Sequence, residues 1–266
     1  MSRVALVATD LDGTLLDRDT YGFAAARPAL DALRQGGVPL VLCSSKTRAE
    51  MEPLAVALGT RGPLVVENGG AIVGPDGAVL VLGVTRDRLL EELPRLAREA
   101  GARVRSFAEM SVAEVAALTG LPEDQAALAM RREYDEPFVV EDPPGRDPAV
   151  DARLDRAARE RGLQVTHGGR LHHLTGPVDK GEALRAITRA ARFDGDVAGL
   201  GDAANDLPLL LAVTRPIVMP RPDGTVDPAL AARLPGVERA PAPGPAGWSA
   251  AVLTVLSGGA LPRVTA

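Results

Sequence analysis

Val4-Ala-Leu-Val-Ala-Thr-Asp-Leu-Asp-Gly-Thr14 is the stretch that decides the fold. The near-continuous apolar run from Val4 to Thr9 reads as a parallel strand buried on both faces, and it leads straight into two aspartates and a glycine. Open α/β sheets place their sites at the carboxyl ends of such strands. Two carboxylates two residues apart on an extended segment point the same way, which offers a hard-oxygen site for Mg2+ and a candidate nucleophile. An Asp-Gly turn closed by an Asx hydrogen bond is the purely structural alternative.

Outward from this stretch the alternation repeats. Val38 to Cys43 is a second apolar strand, Lys46 to Leu58 a helix, Pro63 to Val66 a third strand, and Ala71 to Leu82, broken at Gly74-Pro75-Asp76-Gly77, a hairpin. From about Thr85 the character changes to an Arg/Glu-rich helix ending at Ala100 and a short strand near Arg103. A capping box follows at Ser111-Val-Ala-Glu114, and Pro122 starts another helix. Strand-like pieces fall at Phe138 to Val140, Leu163 to His167 and Arg170 to Leu174, with a helix near Ala149 to Arg161. After Gly176-Pro177 the first pattern returns, with a helix from Lys180, a strand at Val197 to Leu200, a helix from Ala203 and a strand at Ile217 to Met219. The expected fold is α/β: a Rossmann-like, doubly wound parallel-sheet core in two segments, residues 1–82 and 176–266, interrupted by an α+β insert at 83–175. Pro- and Gly-rich Ala240 to Gly247 is expected to be a linker before a last short helix.

Composition narrows the partners. The 266 residues suit two domains, and 46% apolar with 24% charged residues can bury a real core. Aromatics at 3% argue against a base-stacking platform, and a net charge of −5 lacks the basic footprint of a nucleic-acid or membrane binder. The single cysteine, Cys43, excludes an intramolecular disulfide and a Cys-rich zinc site. Two early aspartates make the opening residues a poor signal peptide, and no apolar run reaches the roughly 18 residues of a membrane span, so a cytoplasmic location is expected. The 30 basic residues comprise 28 Arg and only two Lys, Lys46 and Lys180, and Asn occurs only as Asn68 and Asn205. Exceptions to so strong a bias are worth placing.

Three further clusters carry chemistry. Gly201-Asp202-Ala-Ala-Asn205-Asp206 follows an apolar strand; its overlap with a dinucleotide fingerprint from Gly199 fails because Asp202 would set negative charge where a pyrophosphate must land. Asp202 is then a cation ligand or an ordinary helix cap. Ser44 and Ser45, after the second strand, are either helix caps or a hydroxyl and backbone N–H grip on phosphate. Lys180 opens a helix, a position the macrodipole disfavours for a cation, so it asks for a local anion.

Together the four clusters resemble the haloacid-dehalogenase superfamily of phosphatases: DxDGT at Asp10 to Thr14, the hydroxyl of the second motif at Ser44, the lysine of the third at Lys180, and GDxxxD at Gly201 to Asp206. The resemblance implies a type-2 (C2B) cap for the insert, Asp10 as nucleophile, Asp12 as general acid and base, and Ser44 with Lys180 as a phosphate clamp. It further implies Mg2+ on Asp10, the Asp12 backbone carbonyl and Asp202, with Asn205 and Asp206 in support.

Cys43-Ser-Ser-Lys-Thr-Arg48-Ala-Glu50, Arg132-Glu-Tyr-Asp-Glu-Pro-Phe138 and His167-Gly-Gly-Arg170-Leu-His-His-Leu174 are similar to the mannosyl-3-phosphoglycerate phosphatases. That likeness implies hydrolysis of mannosyl-3-phosphoglycerate to the compatible solute mannosylglycerate, with Ser45, Lys46, Arg132, His167, Gly168 and Arg170 toward the substrate. A carboxylate and a hexose beside the phosphate call for such cationic forks. Other expectations in the same fold are a phosphatase of glucosyl-3-phosphoglycerate or sucrose phosphate, or a phosphohexomutase. Neither a nucleic acid nor a membrane is an expected partner, and the chain is expected as a monomer or homodimer. Asn68 either stabilises a turn beside the site or reads substrate.

Overall fold

A computed structural model describes residues 3–142, 147–168, 171–191 and 193–264, with His167 and Gly168 as backbone only. The strands form where the apolar runs predict them: β1 Val4–Thr9, β2 Leu40–Cys43, β3 Leu64–Val66, β4 Ala71–Val73 and β5 Val79–Val81. In the carboxyl-terminal part β10 Asp196–Gly201, β11 Arg215–Val218 and β12 Glu238–Arg239 join them in one eight-stranded sheet of order β12-β11-β10-β1-β2-β3-β4-β5. It is parallel from β12 to β3, and β4 and β5 complete it as an antiparallel edge.

β1 explains why this sheet is doubly wound. Leu6 and Ala8 pack with Leu184 and Leu209 on one face, whereas Val7 packs with Leu33, Trp248 and Val252 on the other. Each fully buried Leu or Val side chain contributes about 1.5–3 kcal/mol of burial. Helices α1 Arg27–Gly36, α2 Arg48–Leu58, α7 Lys180–Ala191, α8 Leu207–Leu211, α9 Pro228–Arg233 and α10 Gly244–Leu256 flank the sheet. β1 lies between β2 and β10, so the chain winds away from it in both directions and a crevice opens at the carboxyl end of β1 and β10.

The inserted cap is a second, four-stranded antiparallel sheet of order β6-β7-β9-β8, from β6 Arg103–Ser106, β7 Asp135–Asp142, β8 Gln164–Gly168 and β9 Leu171–Thr175. Helices α3 Arg86–Ala100 and α6 Pro148–Arg159 bury Leu89, Leu93, Leu96 and Leu154 against Phe138 and Val165 of this sheet. α4 Val112–Thr119 and α5 Glu123–Ala129 build a smaller cluster from Phe107, Met110, Val115 and Ala126. Ser111 does close a capping box with Glu114. Among the described residues no helix is long and apolar enough to cross a membrane.

Two expectations are corrected. Ala240 to Gly247 is not all linker, because α10 already starts at Gly244 and carries Trp248 into the core, where its Nε1 donates to Thr9 Oγ1 at 2.9 Å. Pro and Gly in the first turn of α10 hide its start in the sequence, yet neither breaks the hydrogen-bond ladder there. Similarly, α2 begins at Arg48 and not Lys46, because Thr47 takes the cap, accepting from Glu50 N while Glu50 answers Thr47 N. Ser44, Ser45 and Lys46 are therefore left outside the helix, in a loop.

Candidate active site

The adjacency of β1 and β10 is what assembles the site. Asp10 N donates to Leu200 O at 2.9 Å, which seats Asp10 directly beside the end of the strand that precedes Asp202. Gly13, at φ +80, lies so near that a Cβ there would stand 2.8 Å from Asp202 Oδ2, so the turn after β1 demands glycine. Oxygens of Asp10, Asp202 and Asp206, all buried, come within 4.8 Å of one another.

Lys180 answers the sequence-level question about its missing anion twice. Its Nζ donates to Asp10 Oδ1 at 2.6 Å and to Asp206 Oδ1 at 2.7 Å, with the side chain 1% exposed. Burial opposes the ammonium, but Asp10 and Asp206 outweigh it and hold the Lys180 pKa above its ordinary value. Asp206 Oδ2 accepts from Asp202 N at 3.0 Å and from Ala203 N at 3.2 Å, so both of its oxygens are engaged in holding other groups. Desolvation and the Asp206 and Asp202 carboxylates push Asp10 upward, against the pull of Lys180. Asp202 is pushed to about 6 by burial and by Asp206, while Arg18, ion-paired with its Oδ2, pulls the other way.

The donor set fits a hard divalent cation: oxygen ligands only, at least two of them carboxylates whose mutual repulsion a cation relieves. The Asp12 carboxylate is not part of this trio. Its Oδ2 is 3.0 Å from Lys46 Nζ, and its Oδ1 is buried with no hydrogen-bond partner among the described residues. Lys46 also lies 4.9 Å above the Tyr21 ring and 3.9 Å from Glu50; burial works against its charge, yet Asp12 and Glu50 raise its pKa. Ser44 is buried at the end of β2, its Oγ accepting from Lys46 N at 3.2 Å. Cys43, next to it, is buried, which pushes its thiol up to about 12 and leaves it inert at neutral pH.

The remaining substrate candidates divide. Ser45, next to Lys46 in the chain, meets Arg132 where the cap touches the core: Arg132 Nη1 donates to Ser45 O at 2.7 Å and pairs with Asp135 at 3.3 Å, and its Nε donates to Ala129 O. The His167 side chain and Arg170 lie outside the described residues, and Gly168 ends β8. Asn205 is exposed on the turn after β10, whereas Asp206 is buried. His172 and His173 are both held by carboxylates, through Asp151 at 2.7 Å and Asp135 at 2.9 Å.

Sequence reasoning missed two residues at the cleft. Arg18 reaches Asp202 from the loop after the first motif, and nothing in an Arg-rich chain marks it out. Glu67 sits beside the flagged Asn68, is fully buried, and accepts from the backbone N–H groups of Glu133 and Tyr134 in the cap.

Residues 7–110 match the haloacid dehalogenase-like hydrolase family. A protein of Methanococcoides burtonii named glucosyl-3-phosphoglycerate/mannosyl-3-phosphoglycerate phosphatase is 38% identical over 94% of this chain and 97% of its own. One of the same name from Persephonella marina is 33% identical over 95% and 97%. The crystal structure of a haloacid dehalogenase-like hydrolase from Bacteroides thetaiotaomicron superposes with a TM-score of 0.65 at 18% identity, covering 89% of this chain and 94% of that one. With buried acidic residues gathered at the strand ends, a capped doubly wound sheet and relatives matching over nearly its whole length, this chain belongs to the haloacid dehalogenase-like hydrolase family.

Proposed function

We propose that the protein is a Mg2+-dependent phosphatase that hydrolyses mannosyl-3-phosphoglycerate to mannosylglycerate and phosphate. The observation that carries the reading is Asp10, held at 2.6 Å by a buried lysine beside Asp202 and Asp206 at the mouth of the sheet. An Asp10 carboxylate oxygen attacks phosphorus and the bond to the glycerate oxygen breaks, with Asp12 giving that oxygen a proton. Water then attacks the aspartyl-phosphate, Asp12 takes its proton, and the bond from Asp10 to phosphorus breaks to release inorganic phosphate. Ser44 and Lys180 hold phosphoryl oxygens, and Asp206 keeps Lys180 aimed at the reacting centre. The carboxylates of Asp10 and Asp202 and the backbone carbonyl of Asp12 would hold the cation, which supplies charge neutralisation to the phosphoryl group. Asp206 is not assigned as a ligand because both its oxygens are already engaged.

A cation entering this site displaces protons. Asp10 and Asp202 are both raised, Asp202 to about 6, so the cation-free site binds protons that Mg2+ must expel and affinity falls as pH falls. The Mg2+ dissociation constant is expected to rise by up to about tenfold per pH unit for each proton expelled between pH 7 and 5. Calorimetry in two buffers of different ionisation enthalpy reads the released protons, and pH-independent binding would contradict the assignment.

Ser45, Lys46 and Arg132, with His167, Gly168 and Arg170, are assigned to the glycerate carboxylate and the hexose. Phosphate release with Mg2+ is expected to favour mannosyl-3-phosphoglycerate over mannose 6-phosphate and glucose 6-phosphate by at least about a hundredfold in kcat/KM, as expected when buried cationic groups lose their partner. Equal rates on all three would sink the substrate assignment while leaving the reaction class standing. The names of the two relatives favour glucosyl-3-phosphoglycerate as the second reading. The panel includes it, and comparable rates on the two epimers would place the specificity in the glycerate half.

A further inference from the structure

The turn at residues 67–70, after β3, is attached on every side. Glu67 N donates to Lys46 O at 3.0 Å and Asn68 N to Ser44 O at 2.9 Å, which ties it to the phosphate-side loop. Gly70 O accepts from Leu82 N at 3.0 Å and Gly83 N at 2.9 Å, where the chain leaves for the cap. Gly69, at φ +103, packs so closely on the start of α7 that a Cβ would stand 2.3 Å from Asp179 O, one residue before Lys180.

The fourth attachment is a side chain. Glu67 accepts from Glu133 N at 3.0 and 3.2 Å through its two oxygens and from Tyr134 N at 2.8 Å, although all of these groups belong to the segment that enters β7. To reach them Glu67 and Asn68 adopt φ of +48 and +56; Tyr21 is the other non-glycine residue with positive φ among the described residues. Burial of a carboxylate and two successive left-handed residues are both unfavourable, and they persist only where surrounding contacts over-determine them. Burial raises Glu67 to about 7, while Arg132 and the two N–H groups favour its charge and Asp135 opposes it. Nearby, Thr47 Oγ1 donates to Leu128 O at 3.0 Å and Arg132 reaches Ser45 O, so the 44–47 loop grips the same cap segment.

We propose that Glu67 is a positioning residue whose carboxylate, by accepting the Glu133 and Tyr134 N–H groups, fixes cap segment 128–135 and its Arg132 over the phosphate-side loop. Glu67 touches no reacting atom; its carboxylate acts through cap segment 128–135 and its Arg132. Its kinetic test rests on the phosphatase reading above, whereas its exchange test does not.

Wild type, Glu67→Gln and Glu67→Ala are compared by backbone hydrogen exchange of segment 128–135. They are also compared in Mg2+-supported hydrolysis of mannosyl-3-phosphoglycerate and of p-nitrophenyl phosphate, which offers the cap nothing to read. In Glu67→Ala the Glu133 and Tyr134 amides are expected to exchange at least about tenfold faster; Glu67→Gln, with one acceptor oxygen left, falls between. KM for the phosphosugar acid rises about tenfold with kcat within about threefold of wild type, and p-nitrophenyl phosphate is unaffected within the same margin. Unchanged amide exchange overturns the proposal, as does an equal fall in kcat/KM on both substrates, which marks a merely structural role. If Glu67→Ala does not fold, the near-isosteric Glu67→Gln decides by the same readings. Should wild type hydrolyse p-nitrophenyl phosphate but not the phosphosugar acid, the substrate reading fails and amide exchange alone decides for or against Glu67.

Discussion

Asp10→Asn is expected to lower phosphate release at least about 10⁴-fold, since removing the proposed nucleophile removes the two-step path and leaves only binding and electrostatic help. Asparagine keeps the volume of the side chain and an oxygen that can still accept from Lys180, which contacts Asp10 at 2.6 Å, so the fold survives the change. Acid-quenched wild type exposed to substrate should carry a phosphoryl group on the peptide containing Asp10, and the variant should carry none. Mg2+-dependent turnover above about 1% of wild type in the variant would show that another group attacks phosphorus.

Lys180→Met has an effect of comparable size, of a different kind. The lysine is 1% exposed between Asp10 and Asp206, and deleting its charge leaves two buried carboxylates without a cation. Breaking a buried pair in this way costs about 3–5 kcal/mol. At pH 8 the thermal midpoint is expected to fall by about 10 °C, with activity lost as well. The pH dependence has a defined sign. Asp10 is raised by burial even beside the ammonium and rises further without it, so the variant's folded state is favoured as pH falls and Asp10 protonates, and loses stability as pH rises toward the raised value. The deficit against wild type should therefore be smaller at pH 5.5 than at pH 8, and equal deficits would contradict the uncompensated-charge account. Lys180→Arg should not rescue, because a planar guanidinium does not fit where a compact ammonium sits between two carboxylates at 2.6 and 2.7 Å.

Much of the core was legible because its physics is local. Continuous apolar runs such as Val4 to Thr9 become buried parallel strands whatever surrounds them, and the motif residues fall at strand ends because the alternation puts them there. Lys180 was legible for an electrostatic reason: a cation at a helix start implied an anion, and the anions are Asp10 and Asp206. The scarce residues split: Lys46 and Lys180 line the cleft, whereas Asn205 is exposed. Boundaries fared less well where a cap competes with a neighbour, as Thr47 does with Ser44 and Ser45. α9 and β12 went unread because each is too short to show a period among the surrounding prolines and glycines. The contact surface between cap and core could not be read, since Glu67 meets Glu133 and Tyr134 only after both layers exist, and no local pattern encodes that meeting.

The placement of β1 against β10 has a consequence for how the chain acquires its chemistry. The two strands pair from Val4 with Asp196 to Thr9 with Leu200, with one register shift between Val4 and Leu6, although the whole insert is made between them. A ribosome delivers Asp202 only some 190 residues after Asp10. Closing so long a loop is slow, and until it closes no partial product of synthesis can assemble the cluster of Asp10, Asp202 and Asp206. A chain that stops short of Asp202 thus lacks the cluster, which forms only once β10 has joined β1.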